Sequence, residues 1–514
     1  MKLFFYSLAY FFTIVLNAQF TNILISNTNM PNEPAITIDE SNTNILLAGA
    51  NADNYYVSTD GGITWSENII NSSLGVWGDP AMLIDNNGDF YFFHLSNATN
   101  WLDRIICQKS TNNGTTWSNG TYFGLNGNKA QDKEWIDFDR NNGTIYAFWT
   151  EFDAYGSTDP TKKTRILFAK STDNGTTWSN AIKINEIDGD CIDADNTVEG
   201  AVPAIGPNGE IYTAWVGPAG LVFDRSLDYG QTWLTNDILI DNIPGGWDFN
   251  IPGLDRCNGL PITKCDVSGG TYNGTIYVNW SDQRNGTNDT DIWLKKSTDG
   301  GNTWSNLIRV NTDPVGKHQF LSWMDIDQTN GNIYIVYYSR ENYNNNYTDV
   351  YLAYSTDGGT TFENVKISDT PFLPTVNEFF GDYTNIVAHN GIIRPIWNRV
   401  HNGSTSIWTA IINENELLDT ESLAFQKYFE VENYPNPAKN EMYISFKLTK
   451  NMPVSLSFYT IVGQKISTYI DEKMYNYGKH LLKIPLSELN LETGIYFYKL
   501  KIDNQVISKK IIVK

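Results

Sequence analysis

Three arginines, Arg284, Arg340 and Arg399, each stand at the end of an alternating apolar run: TIYVNWSDQR, NIYIVYYSR and IIRPIWNR. A guanidinium donates paired N–H bonds, so three of them around one opening would hold a carboxylate or a sulfate. Trp280 and Trp397 lie in the same runs and join the arginines as candidate ligand-binding residues. A second reading pairs Arg284 with its neighbour Asp282 and gives the other two similar structural ion pairs. In EIDGDCIDADN, residues 186–196, Asp188, Asp190, Asp193 and Asp195 offer oxygen ligands for calcium, the one cofactor the sequence suggests. The stretch lacks the EF-hand spacing, and its alternative is a solvated acidic loop. No nucleophile elbow, phosphate loop or His-Glu-x-x-His segment is present. Five histidines in the whole chain leave little scope for histidine catalysis.

These residues must be positioned by the chain around them, and that chain is repetitive. Ser-x-Asp-x-Gly-x-Thr-Trp recurs from Ser58, Ser110, Ser171, Ser226, Ser297 and Ser355, with Asn112 and Phe362 as the departures. The copies lie 52 to 71 residues apart, a period of blades or solenoid units. Ser and Asp accept hydrogen bonds from free backbone N–H groups, Gly supplies a positive φ, and Trp anchors the turn. Two apolar runs joined by Asn-Gly or Asp-Gly turns precede each copy, as in EWIDFDRNNGTIYAFWT; a third strand leads into it and a fourth follows. Four antiparallel strands per unit make a propeller blade. A seventh unit, GDYTNIVAHNGIIRPIWNRV with SIWTAII, has no such turn and only three strands. FTNILISNT, residues 20–28, would supply its fourth and remove two open edges. The expected fold is all-β: a seven-bladed β-propeller over 19–413, with six blades as the alternative.

The repeated turn is the Asp box, and the chain resembles the sialidase-type, BNR-repeat propellers. That resemblance implies structural boxes on the face opposite the ligand. It places on the ligand face the starts of the first strands, with Glu33, Asp79, Lys133, Glu134, Glu199, His318, Trp323, Glu378, Asp382 and Tyr383, and the ends of the second strands, with His94, Glu151, Asp153, Trp280, Asp282, Arg284, Arg340, Glu341, Trp397 and Arg399. Sialidases pair an arginine triad with a Tyr–Glu nucleophile and an Asp acid/base. Tyr383, Glu378 and Asp79 are the corresponding catalytic candidates. Two departures weigh against that chemistry. The family's Arg-x-Pro motif on the first blade is replaced by PNEPAI, with Glu33 before Pro34, and the enzymes have six blades.

The ends of the chain differ from its middle. MKLFFYSLAYFFTIVLNA, 1–18, reads as a secretory signal peptide, with Lys2 before an apolar stretch too short for a membrane anchor. A linker is expected over 414–428. From Glu430 onward 12 Lys face 8 Asp or Glu, a net of +4 in a chain of −22. This module, 429–514, reads as a small C-terminal β-sandwich. Its YPNPA start (Tyr434–Ala438), its Gly494-Ile495-Tyr496 and its closing KKIIVK resemble the type IX secretion sorting domain. A generic adhesion sandwich is the other reading. The resemblance implies type IX machinery as a partner, export across the outer membrane and a secreted or cell-surface location. In an oxidising compartment, Cys257 and Cys265 of CNGLPITKC are predicted to form a disulfide; the pairing of Cys107 and Cys191 stays open.

A pI near 4.6 argues against nucleic acid as partner. Aromatics make up 14% of the chain; blade cores and box tryptophans absorb many of them, and the remainder suits a surface for sugars. The function expected is binding of an extracellular glycan or glycoprotein. The alternative is a glycan-degrading enzyme, either a glycoside hydrolase or a polysaccharide lyase.

Overall fold

The computed structural model describes residues 20–97, 100–401, 403–417, 429–460, 465–489, 491–503 and 505–514. The signal segment and residues 418–428 of the expected linker lie outside them. The chain divides into two compact units, residues 1–412 and 413–514.

Among the described residues, the first unit contains seven four-stranded antiparallel sheets. Their innermost strands are Ala35–Ile38, Ala81–Ile84, Ala130–Phe138, Glu199–Ile205, Ile262–Cys265, Gln319–Asp327 and Asn385–His389. Each packs against the next, and the seventh packs against the first, so the strands ring a common axis. This is a β-propeller. Thr21–Ser26 pairs antiparallel with Ser404–Asn413 and completes the seventh sheet from the far end of the first unit. The second strands hold the largest buried side chains, among them Trp149, Trp215, Trp280 and Trp397.

The boxes are held by local bonds. In the third, Ser171 Oγ accepts the Gly175 N–H at 2.9 Å, and Asp173 Oδ1 accepts the Thr177 N–H at 2.8 Å. Gly175 sits at φ 76°, where a Cβ would also come 3.1 Å from the Cys107 sulfur. The box tryptophans do more than anchor their own turn. Trp178 packs 4.3 Å from Phe123 and Trp304 5.2 Å from Phe223, in each case on the preceding sheet. Box carbonyls are clasped from that sheet too: Tyr55 donates to Gly114 O at 3.0 Å, and Arg394 of the seventh sheet donates to Gly61 O of the first box at 2.6 Å. The boxes therefore tie neighbouring sheets together and close the ring.

The second unit packs a three-stranded sheet and a four-stranded sheet around one core that includes Phe446, Leu456, Phe458 and Tyr498. The YPNPA start is laced to the closing strand. Asn436 Oδ1 accepts the Ile512 N–H at 2.8 Å, and Ala438 N–H donates to Ile512 O at 2.8 Å. No helix of the described residues is long and apolar enough to cross a membrane.

Candidate functional site at the box-free end of the propeller

Strand direction fixes which residues share an end. First strands end in hairpins such as Asp139–Thr144, and the third strands of the first six sheets end in boxes, so hairpins and boxes lie together. The starts of the first strands lie at the opposite end. There the backbone turns left-handed in sheet after sheet: Glu33 (φ 49°), Asp79 (52°), Lys133 (54°), Gly200 (85°), Leu321 (49°) and Gly381 (93°). For a residue with a Cβ this costs on the order of 1–2 kcal/mol. In the third, fourth and sixth sheets the same spot carries a bulge in the pairing register. The bulge brings polar residues that precede the apolar strand to the mouth of the central opening.

These residues converge. Lys133 Nζ lies 2.8 Å from Asp382 Oδ2 and 3.6 Å from Asp79 Oδ2. Arg256 donates to both oxygens of Asp382, through Nε at 2.8 Å and through Nη2. Its Nη1 lies 3.7 Å from Asp193 Oδ2, which also accepts the Tyr155 hydroxyl at 2.6 Å. The Asp382 N–H donates to Glu33 Oε1 at 3.0 Å. Asn51 bridges Glu33 to the Asp79 N–H. Asp132 and Glu134 flank Lys133, and Glu199 lines a small cavity with Lys133, Asp248, Arg256 and Asp382.

The electrostatics split the carboxyl groups. Burial alone would raise Asp382, but Lys133 and Arg256 overcome it and hold the group down at about 2. Glu33 and Glu134 are pushed well up, first by burial and then by the Asp79 charge. Glu199 is pushed up by burial and then by Asp193; Asp132 is raised by burial, with Asp79 adding to it against the pull of Lys133. Both Glu134 oxygens, Glu199 Oε1 and the Tyr383 hydroxyl are buried with no hydrogen-bond partner among the described residues. Tyr383 packs edge-on to Trp135 at 5.0 Å, and its hydroxyl is pushed up by burial and then by Asp79 and Glu33.

Beside this cluster lies a row of aromatic rings. Trp77 and Trp101 are about half exposed and meet edge to face at 5.9 Å; Trp101 meets Tyr155 at 5.4 Å. Arg256 lies 4.9 Å over the exposed Phe379 ring.

Asp79 and Tyr383 thus fall in the cluster. Glu378 sits apart from Tyr383 in the turn after Thr375, and the carboxyl groups that act on Tyr383 are Asp79, Glu33 and Glu134. The three arginines make three separate sets of contacts. Arg284 is held by Asp241 and Asp282, at 2.9 and 2.5 Å, over Trp293. Arg340 is buried, donates to Thr348 Oγ1 and Pro252 O, and is lowered to about 10 by burial. Arg399 pairs with Asp369 at 3.1 Å over Trp408. Trp280 and Trp397 are fully buried and offer no face to a sugar.

The expected disulfide is corrected. Cys257 and Cys265 are both free and buried. Cys257 lies near Asp382 and Arg340 at the cluster, whereas Cys265, at the end of its strand, lies near Asp266 and Asp137 toward the hairpin end. The strand Ile262–Cys265 runs about 10 Å between those two ends, more than the roughly 7 Å between Cα atoms that a bridge allows. The four aspartates of 188–195 do not form one oxygen cage. Asp188 pairs with Lys183 and Arg165, Asp190 accepts from Thr197, Asp193 faces Tyr155 and Arg256, and Asp195 accepts the Trp247 and Asp248 N–H groups. Among the described residues, no group of three or more His, Cys, Asp or Glu is arranged to hold a metal.

Residues 143–371 match the BNR repeat-like domain, 56–67 the BNR/Asp-box repeat, and 432–514 the secretion system C-terminal sorting domain. The propeller carries BNR/Asp-box repeats, and the C-terminal unit is a type IX secretion sorting domain. That domain directs the protein across the outer membrane, to the cell surface or beyond. No curated protein sequence matches the chain. Similar solved structures include a Hadza microbial sialidase, 14% identical, covering 73% of this chain and 74% of its own, with a TM-score of 0.42. The intramolecular trans-sialidase of Ruminococcus gnavus is 12% identical over 66% of this chain and 94% of its own, at 0.43. A polysaccharide lyase, an ulvan lyase bound to -[GlcA(1-4)Rha3S]-, is 14% identical over 77% and 94%, at 0.44.

Proposed function

We propose that the BNR propeller binds an extracellular glycan at its box-free end. The observation that carries this reading is the run from half-exposed rings into a polar cavity: Trp77, Trp101 and Tyr155 lead through Asp193 to Arg256, Asp382 and Glu199. Exposed aromatic faces suit the apolar face of a sugar ring, and convergent carboxyl groups accept from its hydroxyls. Glycan-array binding of the full chain tests it, together with Trp77→Ala and Trp101→Ala. Each variant is expected to weaken binding about five- to tenfold. Absence of any bound glycan, or full affinity in both variants, would refute the reading.

A second reading, glycan cleavage, is favoured by one feature. Asp382 is held ionised while Glu33, bonded to its N–H, is pushed toward the protonated form. Groups driven apart in this way can divide the roles of base and acid. Product analysis on any glycan the array identifies decides between binding and turnover.

A further inference from the structure

We propose that the cavity prefers sugars bearing an amino group over acidic sugars; this rests on the glycan-binding reading above. The first support is charge. Seven carboxyl groups (Glu33, Asp79, Asp132, Glu134, Asp193, Glu199 and Asp382) surround two cations; Glu33, Asp132, Glu134 and Glu199 are pushed toward the neutral form, and both cations already face the others. Lys133 is held by Asp382 and Asp79, Arg256 by Asp382 and Asp193. Lys133 is buried between its partners, and an anion approaching Arg256 would meet Asp193 and Asp248 beside it.

The second support is independent of the charge count. Glu199 is 1% exposed, lines the cavity, and one of its oxygens finds no donor among the described residues. An acceptor buried without a donor is costly, and a ligand that brings the donor recovers that cost. An ammonium group brings three N–H donors to such an oxygen and a positive charge to Asp193 in the same cavity; a hydroxyl brings one donor and no charge; a carboxylate brings neither. The arginines that would have favoured an anion are spent elsewhere: Arg284 on Asp241 and Asp282, Arg399 on Asp369.

Titration calorimetry of the full chain with three tetrasaccharides tests this: a glucosamine oligomer, its N-acetylated counterpart and a glucuronate oligomer, at mildly acid pH where the amine is charged. The glucosamine oligomer is expected to bind at least about tenfold tighter than the acetylated one and tighter still than the glucuronate. Added salt should weaken the glucosamine oligomer most, a comparison that needs no variant. Glu199→Gln should narrow the gap between the amine and its acetylated form. Equal binding of the amine and acetylated oligomers, or tighter binding of the glucuronate, overturns the amine preference and leaves glycan binding standing. Failure of this set together with an empty glycan array overturns both.

Discussion

Lys133 and Asp382 meet at 2.8 Å across 249 residues of sequence, the third sheet reaching the seventh over the central opening. Both side chains are buried, and Lys133 also neutralises part of Asp79. Removing one partner of a buried pair leaves the other charge uncompensated. Lys133→Met is therefore expected to cost about 3–5 kcal/mol, read as a lower midpoint in urea with an unchanged slope. A loss below about 1 kcal/mol would mean that Arg256 alone suffices to hold Asp382.

The raised carboxyl groups set a pH dependence whose sign is fixed. A carboxyl with a folded pKa above its unfolded value binds its proton more tightly when folded. Its contribution is present below the unfolded value, about 4, and is lost as pH rises through the raised folded value. Glu33, Asp132, Glu134 and Glu199 all act in this direction. Asp382 acts oppositely: its contribution is present above about 4 and is lost as pH falls through about 2. Glu134→Gln should match the wild type near pH 5 and exceed it by about 1–2 kcal/mol near pH 8. Thermal melts across that range would show the two curves diverging; parallel curves would refute the shift.

Closure of the ring rests on an N-terminal strand. Ile25 is buried among Ile36, Ile396 and Ile407, beneath the pairing of Thr21–Ser26 with Ser404–Asn413. Ile25→Ala should cost about 2–5 kcal/mol, the usual toll for emptying such a site. Deleting residues 20–28 should cost more, since it also exposes a sheet edge. Denaturant titration of both forms checks the ranking.

The boxes, hairpins and terminal strand were legible in the sequence because their bonds are local or periodic. Ser171 bonds Gly175 four residues on, and Asp139 accepts the Asn141 N–H two residues on. The cluster was legible only in part. Glu33, Asp79, Lys133, Glu199 and Asp382 follow from where first strands begin, but their convergence is set by the ring. Arg256 was missed. It comes from an irregular loop ahead of the fifth inner strand, and the one signal was the 71-residue gap between Ser226 and Ser297, the widest between boxes. Trp280 and Trp397 misled because strand alternation turned them into the core.

All four thiols are free and buried, and burial pushes each of them up. Folded protein should react slowly with a thiol reagent and yield four equivalents after unfolding. Its melting temperature should not change with reductant. A non-reducing mass two hydrogens lower than the reduced one, with Cys257 and Cys265 linked in a peptide map, would restore their disulfide.

The arginines give the last test, because their environments predict a ranking. Arg284 compensates Asp282, which is fully buried, and also holds Asp241. Its loss strands a buried charge, so Arg284→Ala should cost about 3–5 kcal/mol. Arg399 pairs with Asp369, whose side chain is 37% exposed, so water screens that pair and Arg399→Ala should cost no more than about 1 kcal/mol through it. Arg340 has no carboxylate partner among its hydrogen bonds, only neutral acceptors. Arg340→Met keeps much of its packing over Phe320 and removes a buried charge, so it should lie near neutral. Three contributions to one anion pocket would instead leave stability alone and weaken acidic ligands together. Melting temperatures and glucuronate affinity, measured on the three variants, separate these outcomes, and the order Arg284, Arg399, Arg340 in stability alone is the one the contacts require.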